Sequence, residues 1–186
     1  MGLAYSALLF NDQSLAAEVT YLEDRLDEMR ERLELWVLRA AAETIDPAQL
    51  RGLLRLGGAA EEIGDAAQQM VWLVEQGEEM HPVLAVALGE ADEVIVRFPV
   101  APASPFDGAR VTGDQLGDDT GFQLLALRRG GRYTYRPRGA VELRSGDEIV
   151  GSGPCEGRPH LAELCGFRFS EDDDTGEVEL IPLSAP

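Results

Sequence analysis

The sequence predicts an α+β protein, an antiparallel helical bundle followed by a small α/β domain, on three observations. An apolar repeat runs through the first third of the chain with steps of four and three, the pattern of a long packed helix. Short β-prone runs bounded by Gly, Pro and Asp occupy residues 92–166, the signature of strands and tight turns. Charge changes at the same boundary: residues 1–90 hold 17 acids and 6 bases, whereas residues 92–166 hold 11 and 9. The expected organisation is therefore a helical bundle over residues 1–91, a mixed domain over 92–166 and an acidic tail over 167–186.

In the first part, Leu3, Ala7 and Phe10 share a helical face. The residues Leu15, Val19, Leu22, Leu26, Met29, Leu33, Trp36 and Ala40 then form a heptad seam, predicting a helix over residues 12–44. Asp46-Pro47 reads as a cap followed by a first-turn proline. The second helix behind it has Leu50, Leu53, Leu54, Ile63, Ala67, Met70, Val71 and Val74 facing inward, and Gly57-Gly58-Ala59-Ala60 leave a bare stretch suited to close approach. Gly77 ends that helix, and His81-Pro82 opens a short third one reaching to about residue 91. In the second part, strands are expected at 93–100, 122–128, 132–135 and 148–153, with a Gly130-Gly131 hairpin turn and short helices at 112–119 and 157–164. The tail, with Asp172, Asp173 and Asp174, reads as solvated.

The 186 residues carry a formal charge of −18, with 34 acids against 16 bases, and every base is Arg. Nucleic acid is excluded as a general partner, because this charge opposes a phosphate backbone. The absence of Lys matches the composition of halophilic proteins, whose acidic surfaces stay hydrated where salt screens repulsion. No apolar run approaches the ~20 residues that span a bilayer, so no direct membrane insertion is expected. The opening fits the loose M-G-x-x-x-[ST] acylation pattern, but its apolar residues have a better use on a helix face. Two cysteines, Cys155 and Cys165, supply neither a disulfide framework nor metal spacing and suit a reducing cytoplasm. His81 and His160 form no Ser-His-acid or Cys-His set, and no phosphate-binding glycine loop is present. The expectation is a protein that is not an enzyme.

Two constellations carry chemistry. Arg128, Arg129, Arg132, Arg136, Arg138 and Arg144 fall within 17 residues that hold one acid, Glu142. Guanidinium forks suit phosphate or carboxylate, so the island reads either as an anion site or as partners for acids of the helical part or of a second subunit. The second constellation is two E-x-x-x-D spacings, Glu23 with Asp27 and Glu61 with Asp65. Residues four apart share a helix face, so each pair reads either as two carboxylates for a divalent cation or as a solvated acidic face.

The segment Leu56 to Gln68, LGGAAEEIGDAAQ, resembles the metal-motif helix of PhoU-type bundles. The run GFQLLALRRGGR from Gly121, then Arg136-Pro137, then SGDEIVGSG from Ser145, resembles the TrkA-C domain, also called the RCK C-terminal domain. Together they cover most of the chain and point to regulatory partners of potassium channels and cation transporters. The resemblance implies a homodimer, cytoplasmic and peripheral to the inner membrane face through a membrane cation channel or transporter. It further implies a small anionic ligand, cyclic di-AMP in some members, at the TrkA-C dimer interface. The matching positions are Leu124, Ala126, Arg128 and Pro137, with Arg136 as the phosphate contact. By the same resemblance Glu61 and Asp65 are the metal candidates, although the single bundle, where phosphate-regulatory members carry two, argues against divalent metal. The alternative function is a PhoU-like metal-binding adaptor with no nucleotide ligand. The nucleotide-binding half of full RCK subunits is missing, so NAD or ATP sensing is not expected, and the first bundle helix is expected to extend before Met1.

Overall fold

Helices account for the first part of the chain and strands for most of the second, as the change in periodicity predicts. The computed structural model describes residues 1–42, 47–78, 83, 91–171 and 178–183. The Asp46 cap, the His81-Pro82 helix start and the Asp172–Asp174 run lie outside them. Contacts divide the chain into two units, one essentially Leu3–Met80 and the other essentially His81–Pro186.

The first unit contains α1 (Gly2–Leu9), α2 (Gln13–Ala41) and α3 (Pro47–Glu75). Asp12 caps α2: its carboxylate accepts from the N–H groups of Ser14 and Leu15 at 3.0 and 3.2 Å, satisfying donors that no helical carbonyl reaches. At 29 residues each, α2 and α3 are ~44 Å long and pack as an antiparallel hairpin. Its rungs are Thr20 to Glu75 at 3.0 Å, Gln68 to Glu23 at 3.1 Å and Arg30 to Glu61 at 3.1 Å. Between the rungs the helices close on glycine. A Cβ on Gly64 would stand 2.8 Å from Leu26 Cδ2, and one on Gly57 3.0 Å from Leu33 Cδ2.

This geometry corrects the expected seam. Leu15 and Val19 are buried, but Leu22, Met29 and Trp36 are 44, 50 and 70% exposed. The inward rung positions belong instead to Glu23, Arg30 and Val37, one residue further along each time. The backbones approach at Gly57 and Gly64, which turns α2 so that Leu26 and Leu33 point into the glycine gaps and the other half of the apolar repeat swings outward. On α3 the same division leaves Leu53, Leu54, Leu56 and Ile63 exposed and Leu50, Ala67, Val71 and Val74 buried.

The second unit is built on an antiparallel sheet of order β1-β6-β3-β4, where β1 is Glu93–Pro99, β3 Gln123–Arg129, β4 Arg132–Tyr135 and β6 Glu148–Pro154. Two-residue strands β2 (Arg110–Val111) and β5 (Val141–Glu142) pair beside it. Helix α4 (Gly113–Thr120) starts in a capping box of Thr112 and Gln115 and ends at left-handed Gly121. Helix α5 (Arg158–Leu164) follows β6 through a short 3-10 turn. The core gathers Val96, Phe98, Leu116, Phe122, Ile149 and Leu161. Gly130 and Gly131 both have positive φ, 55° and 79°, the conformation that lets a two-residue turn match strand twist.

The expected solvated tail is corrected. Residues Phe167–Glu171 and Val178–Pro182 form β7 and β8, an antiparallel hairpin. Phe167, Phe169 and Leu180 pack against the core, and the Arg158 guanidinium lies 4.9 Å over the Phe169 ring while pairing with Glu171 at 2.8 Å. Alternation along Phe167-Arg168-Phe169-Ser170 puts both β7 aromatics on one half-buried face, so the mixed fold runs past residue 166.

Candidate ligand site

The arginine island divides in two. Arg128 pairs with Glu148 at 2.8 Å and lies 5.8 Å over the Tyr133 ring. Arg129 makes a two-pronged pair with Asp147 at 2.7 and 2.6 Å and donates to the Glu142 carbonyl at 2.7 Å. Asp147, its side chain 1% exposed, also accepts from the Arg144 N–H at 2.8 Å. The pairing raises the Arg129 pKa further. Arg144 reaches Glu142 at 3.2 Å. Arg128 and Arg129 tie the segment around residues 142–148 to the β3–β4 hairpin, and Arg144 braces that segment from within. Arg132, Arg136 and Arg138 have no carboxylate within ion-pair distance among the described residues.

Arg136 is the distinctive member. Its φ is +40°, a left-handed conformation uncommon for a side chain other than Gly, Asn or Asp. The conformation is held by its own N–H, which donates to the Leu125 carbonyl at 2.9 Å. That bond extends the β3–β4 register by one pair beyond Ala126 and Tyr135, beside the point where β3 shifts register against β6 between Leu124 and Ala126, a bulge. Pro137 follows directly. Leu124, Arg136 and Pro137 then line an open groove of about 680 Å³, whose remaining wall includes Gln123 and the α4 carboxylates Asp114 and Asp118.

Of the five sequence-predicted ligand residues, three meet here and two do not. Beyond the bulge Ala126 pairs with Val150 and Arg128 with Glu148, whereas Leu124 and Leu127 stay with the core cluster. Ala126 and Arg128 therefore sit on the opposite face of the sheet, Ala126 fully buried and Arg128 neutralised. Strict alternation from Leu124 would put all three on one face; the extra residue in the bulge reverses it. The acids of the groove, Asp114 and Asp118, were not singled out from the sequence, although they lie four apart, the spacing that places two carboxylates on one helix face.

The carboxylate pairs of the first unit come close across the hairpin without forming a ligand set. Glu23 is 9% exposed, and its pKa is raised by burial first and then by Asp27, Asp65, Asp24 and Glu61. It already accepts from Gln68, while Glu61 is held by Arg30. Asp65 is exposed. Among the described residues no group of three or more His, Cys, Asp or Glu has the arrangement of a metal site. Burial pushes the Cys165 thiol up to about 12, which keeps it protonated and poorly nucleophilic. The Cys155 thiol donates to the Ala91 carbonyl at 3.2 Å. No described helix is long and apolar enough to cross a membrane.

Comparison with curated proteins gives no match. Among solved structures, the crystal structure of the GsuK RCK domain aligns at 20% identity over 61% of this chain and 24% of that chain, with a TM-score of 0.34. This chain thus spans about a quarter of the length of that protein. Residues 1–74, which contain α1, α2 and nearly all of α3, match the family model of the PhoU domain.

Proposed function

We propose that this chain is a non-enzymatic regulatory subunit of a cation channel or transporter, paired as a homodimer, in which the second unit senses a small phosphorylated ligand. The observation that carries the reading is Arg136, a strained residue whose guanidinium has no carboxylate within ion-pair distance among the described residues and stands at the rim of a groove. Backbone strain of this kind costs ~1–3 kcal/mol and persists where surrounding structure enforces it. Here the Leu125 carbonyl supplies the enforcement.

The lining decides the ligand chemistry. Arg136 favours phosphate oxygens, whereas Asp114 and Asp118 repel a bare anion and accept from N–H groups. An adenine nucleotide such as cyclic di-AMP carries both, phosphate for Arg136 and an exocyclic amine for a carboxylate. A bound ligand biases the protein between conformations only by its differential affinity for them. The PhoU match of the first unit supports a regulatory role for the whole.

Isothermal titration of the full chain with cyclic di-AMP tests this. Heat is expected with the wild type and is lost with Arg136→Gly, a change that removes the guanidinium and suits the positive φ. Absence of heat from the wild type, or full retention by Arg136→Gly, refutes the sensor. A second reading, a metal-binding adaptor, is favoured by the carboxylates gathered around Glu23. Manganese heat that disappears in Glu61→Ala, together with no nucleotide heat, selects it.

A further inference from the structure

Beyond that reading, and independently of it, we propose that the furrow between α2 and α3 receives an amphipathic helix of a partner protein, about five turns long and acidic along the edge that lies over α2. On α3 Leu56 and Ile63, 68 and 57% exposed, lie one position before the glycines that face α2. On α2 the exposed Leu22, Met29 and Trp36 lie one position before Glu23, Arg30 and Val37, which face α3. One residue back is a 100° turn in the same sense about each axis. Because the helices run antiparallel, both rows emerge on the same side of the hairpin. Gly64 stands against Leu26 and Gly57 against Leu33. Ile63 is therefore level with the gap between Leu22 and Met29, and Leu56 with the gap between Met29 and Trp36. The five side chains alternate along the furrow and form an apolar floor about 21 Å long. A continuous exposed floor of this kind marks an interaction surface, and a third helix of a bundle packs into such a furrow.

The two lips of the furrow identify what lies in it. Three residues on is a 300° turn, which carries each row a further 60° outward. On α2 that position is Arg25, Arg32 and Arg39, and on α3 it is Ala59 and Ala66, all exposed. One lip is a row of guanidiniums at heptad spacing, in a helix that also holds seven acids; the other lip is bare. Arg25 reaches Glu28 only at 4.0 Å, and Arg32 and Arg39 have no carboxylate within ion-pair distance among the described residues. A docked helix can come close over the alanines and needs acids where it passes the arginines. A second copy laid floor to floor about a twofold axis across the helices keeps each lip on its own side, so it would set one arginine row against the other. An anionic bilayer would meet the whole surface of a chain of charge −18, whereas a helix meets the lip alone, within the screening length. The occupant that suits floor and lips together is a helix with apolar residues at heptad a and d positions and Asp or Glu along one flank.

Fluorescence anisotropy of a labelled synthetic peptide, titrated with the full chain, tests this. The peptide, of about 21 residues, carries Leu at a and d, Glu along one flank and Ala or Gln elsewhere; its control has Lys in place of Glu. The acidic peptide is expected to bind about tenfold or more tightly than the basic control at physiological salt. Met29→Asp places a charge on the exposed floor and is expected to abolish that binding. Arg32→Glu combined with Arg39→Glu is expected to weaken the acidic peptide about tenfold and to favour the basic one, as two surface pairs turned repulsive. Unchanged circular dichroism and urea midpoints show that both variants fold. No binding of the acidic peptide, equal binding of the two peptides, or binding indifferent to either variant overturns the proposal. So does self-association of the free chain that Met29→Asp abolishes, which gives the furrow to a second copy. Flotation with phosphatidylglycerol vesicles that the same variant abolishes gives it to a membrane and overturns the proposal equally. None of these readouts involves Arg136, so the result stands apart from nucleotide binding.

Discussion

Removing the Asp147 carboxylate is predicted to destabilise the second unit by about 2–3 kcal/mol. With its side chain 1% exposed, Asp147 accepts two bonds from Arg129 and one from the Arg144 N–H. In Asp147→Ala the part-buried Arg144 N–H loses its acceptor, which costs ~1 kcal/mol, the lower end of the range for an unsatisfied donor. Arg129 loses two charge-assisted bonds, but at 44% exposure water replaces much of them, which leaves ~1–2 kcal/mol. Arg129→Ala reaches a similar cost from the other side, because it strands a buried carboxylate with one donor. The double variant removes both halves, so the two costs are expected to fall short of adding by ~1.5–2 kcal/mol. Urea unfolding of the four proteins, followed by tyrosine and tryptophan fluorescence and far-ultraviolet circular dichroism, gives the cycle. A cost under 1 kcal/mol for Asp147→Ala, or strict additivity, would refute the assignment of Arg129 to the scaffold.

Helix glycines separate propensity from packing. Gly58→Ala, with nothing within 4 Å of the added Cβ, is expected to stabilise the hairpin by ~0.8–1 kcal/mol in urea unfolding, whereas Gly64→Ala must displace Leu26 and is expected to gain nothing or lose stability in the same assay. Glu23 has a raised carboxyl pKa, so the folded state keeps its proton longer than the unfolded chain and stability falls as pH climbs from the ordinary Glu value through the folded one. Glu23→Gln keeps the acceptor oxygen for Gln68 and is therefore expected to be more stable than wild type at neutral pH, the advantage shrinking as pH falls below that window; chemical denaturation at pH 4 and pH 8 checks the sign. Cys165, held protonated by burial, is expected to resist a thiol reagent at pH 8 until the protein unfolds, and rapid labelling of Cys165→Ser and wild type at equal stoichiometry is the supporting readout.

Strand positions were legible because their signals are local. The Gly130-Gly131 turn, the proline at 137 and the Gly146-Asp147 turn punctuate β-prone runs, and alternation shows which residues face the core. Two features escaped for a common reason. The bulge at Leu125 has no residue-type signature, since Leu-Leu-Ala-Leu reads as a buried strand with or without an extra residue. Yet it decides that Leu124 joins Arg136 while Ala126 and Arg128 leave the site. The heptad seam of α2 was equally readable as a repeat and unreadable as a contact. Which half of it turns inward depends on where the partner helix carries glycine, a fact spread over two segments more than twenty residues apart. The β7–β8 hairpin was hidden by composition, the acidic run between its strands outweighing Phe167, Phe169 and Leu180.

The division of the arginine island follows from where each carboxylate lies, not from the count of charges. Glu148 opposes Arg128 in the ladder, and Asp147 lies just before it at the start of β6, so the two arginines nearest the end of β3 are neutralised by adjacent residues of the neighbouring strand. Among the described residues β4 is an edge strand with no further strand on its outer side, and Arg132, Arg136 and Arg138 lie on it or just after it, beyond reach of any β6 acid. Arg128 and Arg129 hold the 142–148 segment against the hairpin, which stiffens the frame around the bulge. That frame fixes the Leu125 carbonyl, and through it the left-handed turn that aims Arg136. Loosening the frame at Asp147 should therefore weaken a ligand held by Arg136 without touching the groove, and a titration of Asp147→Ala below its unfolding temperature measures that coupling.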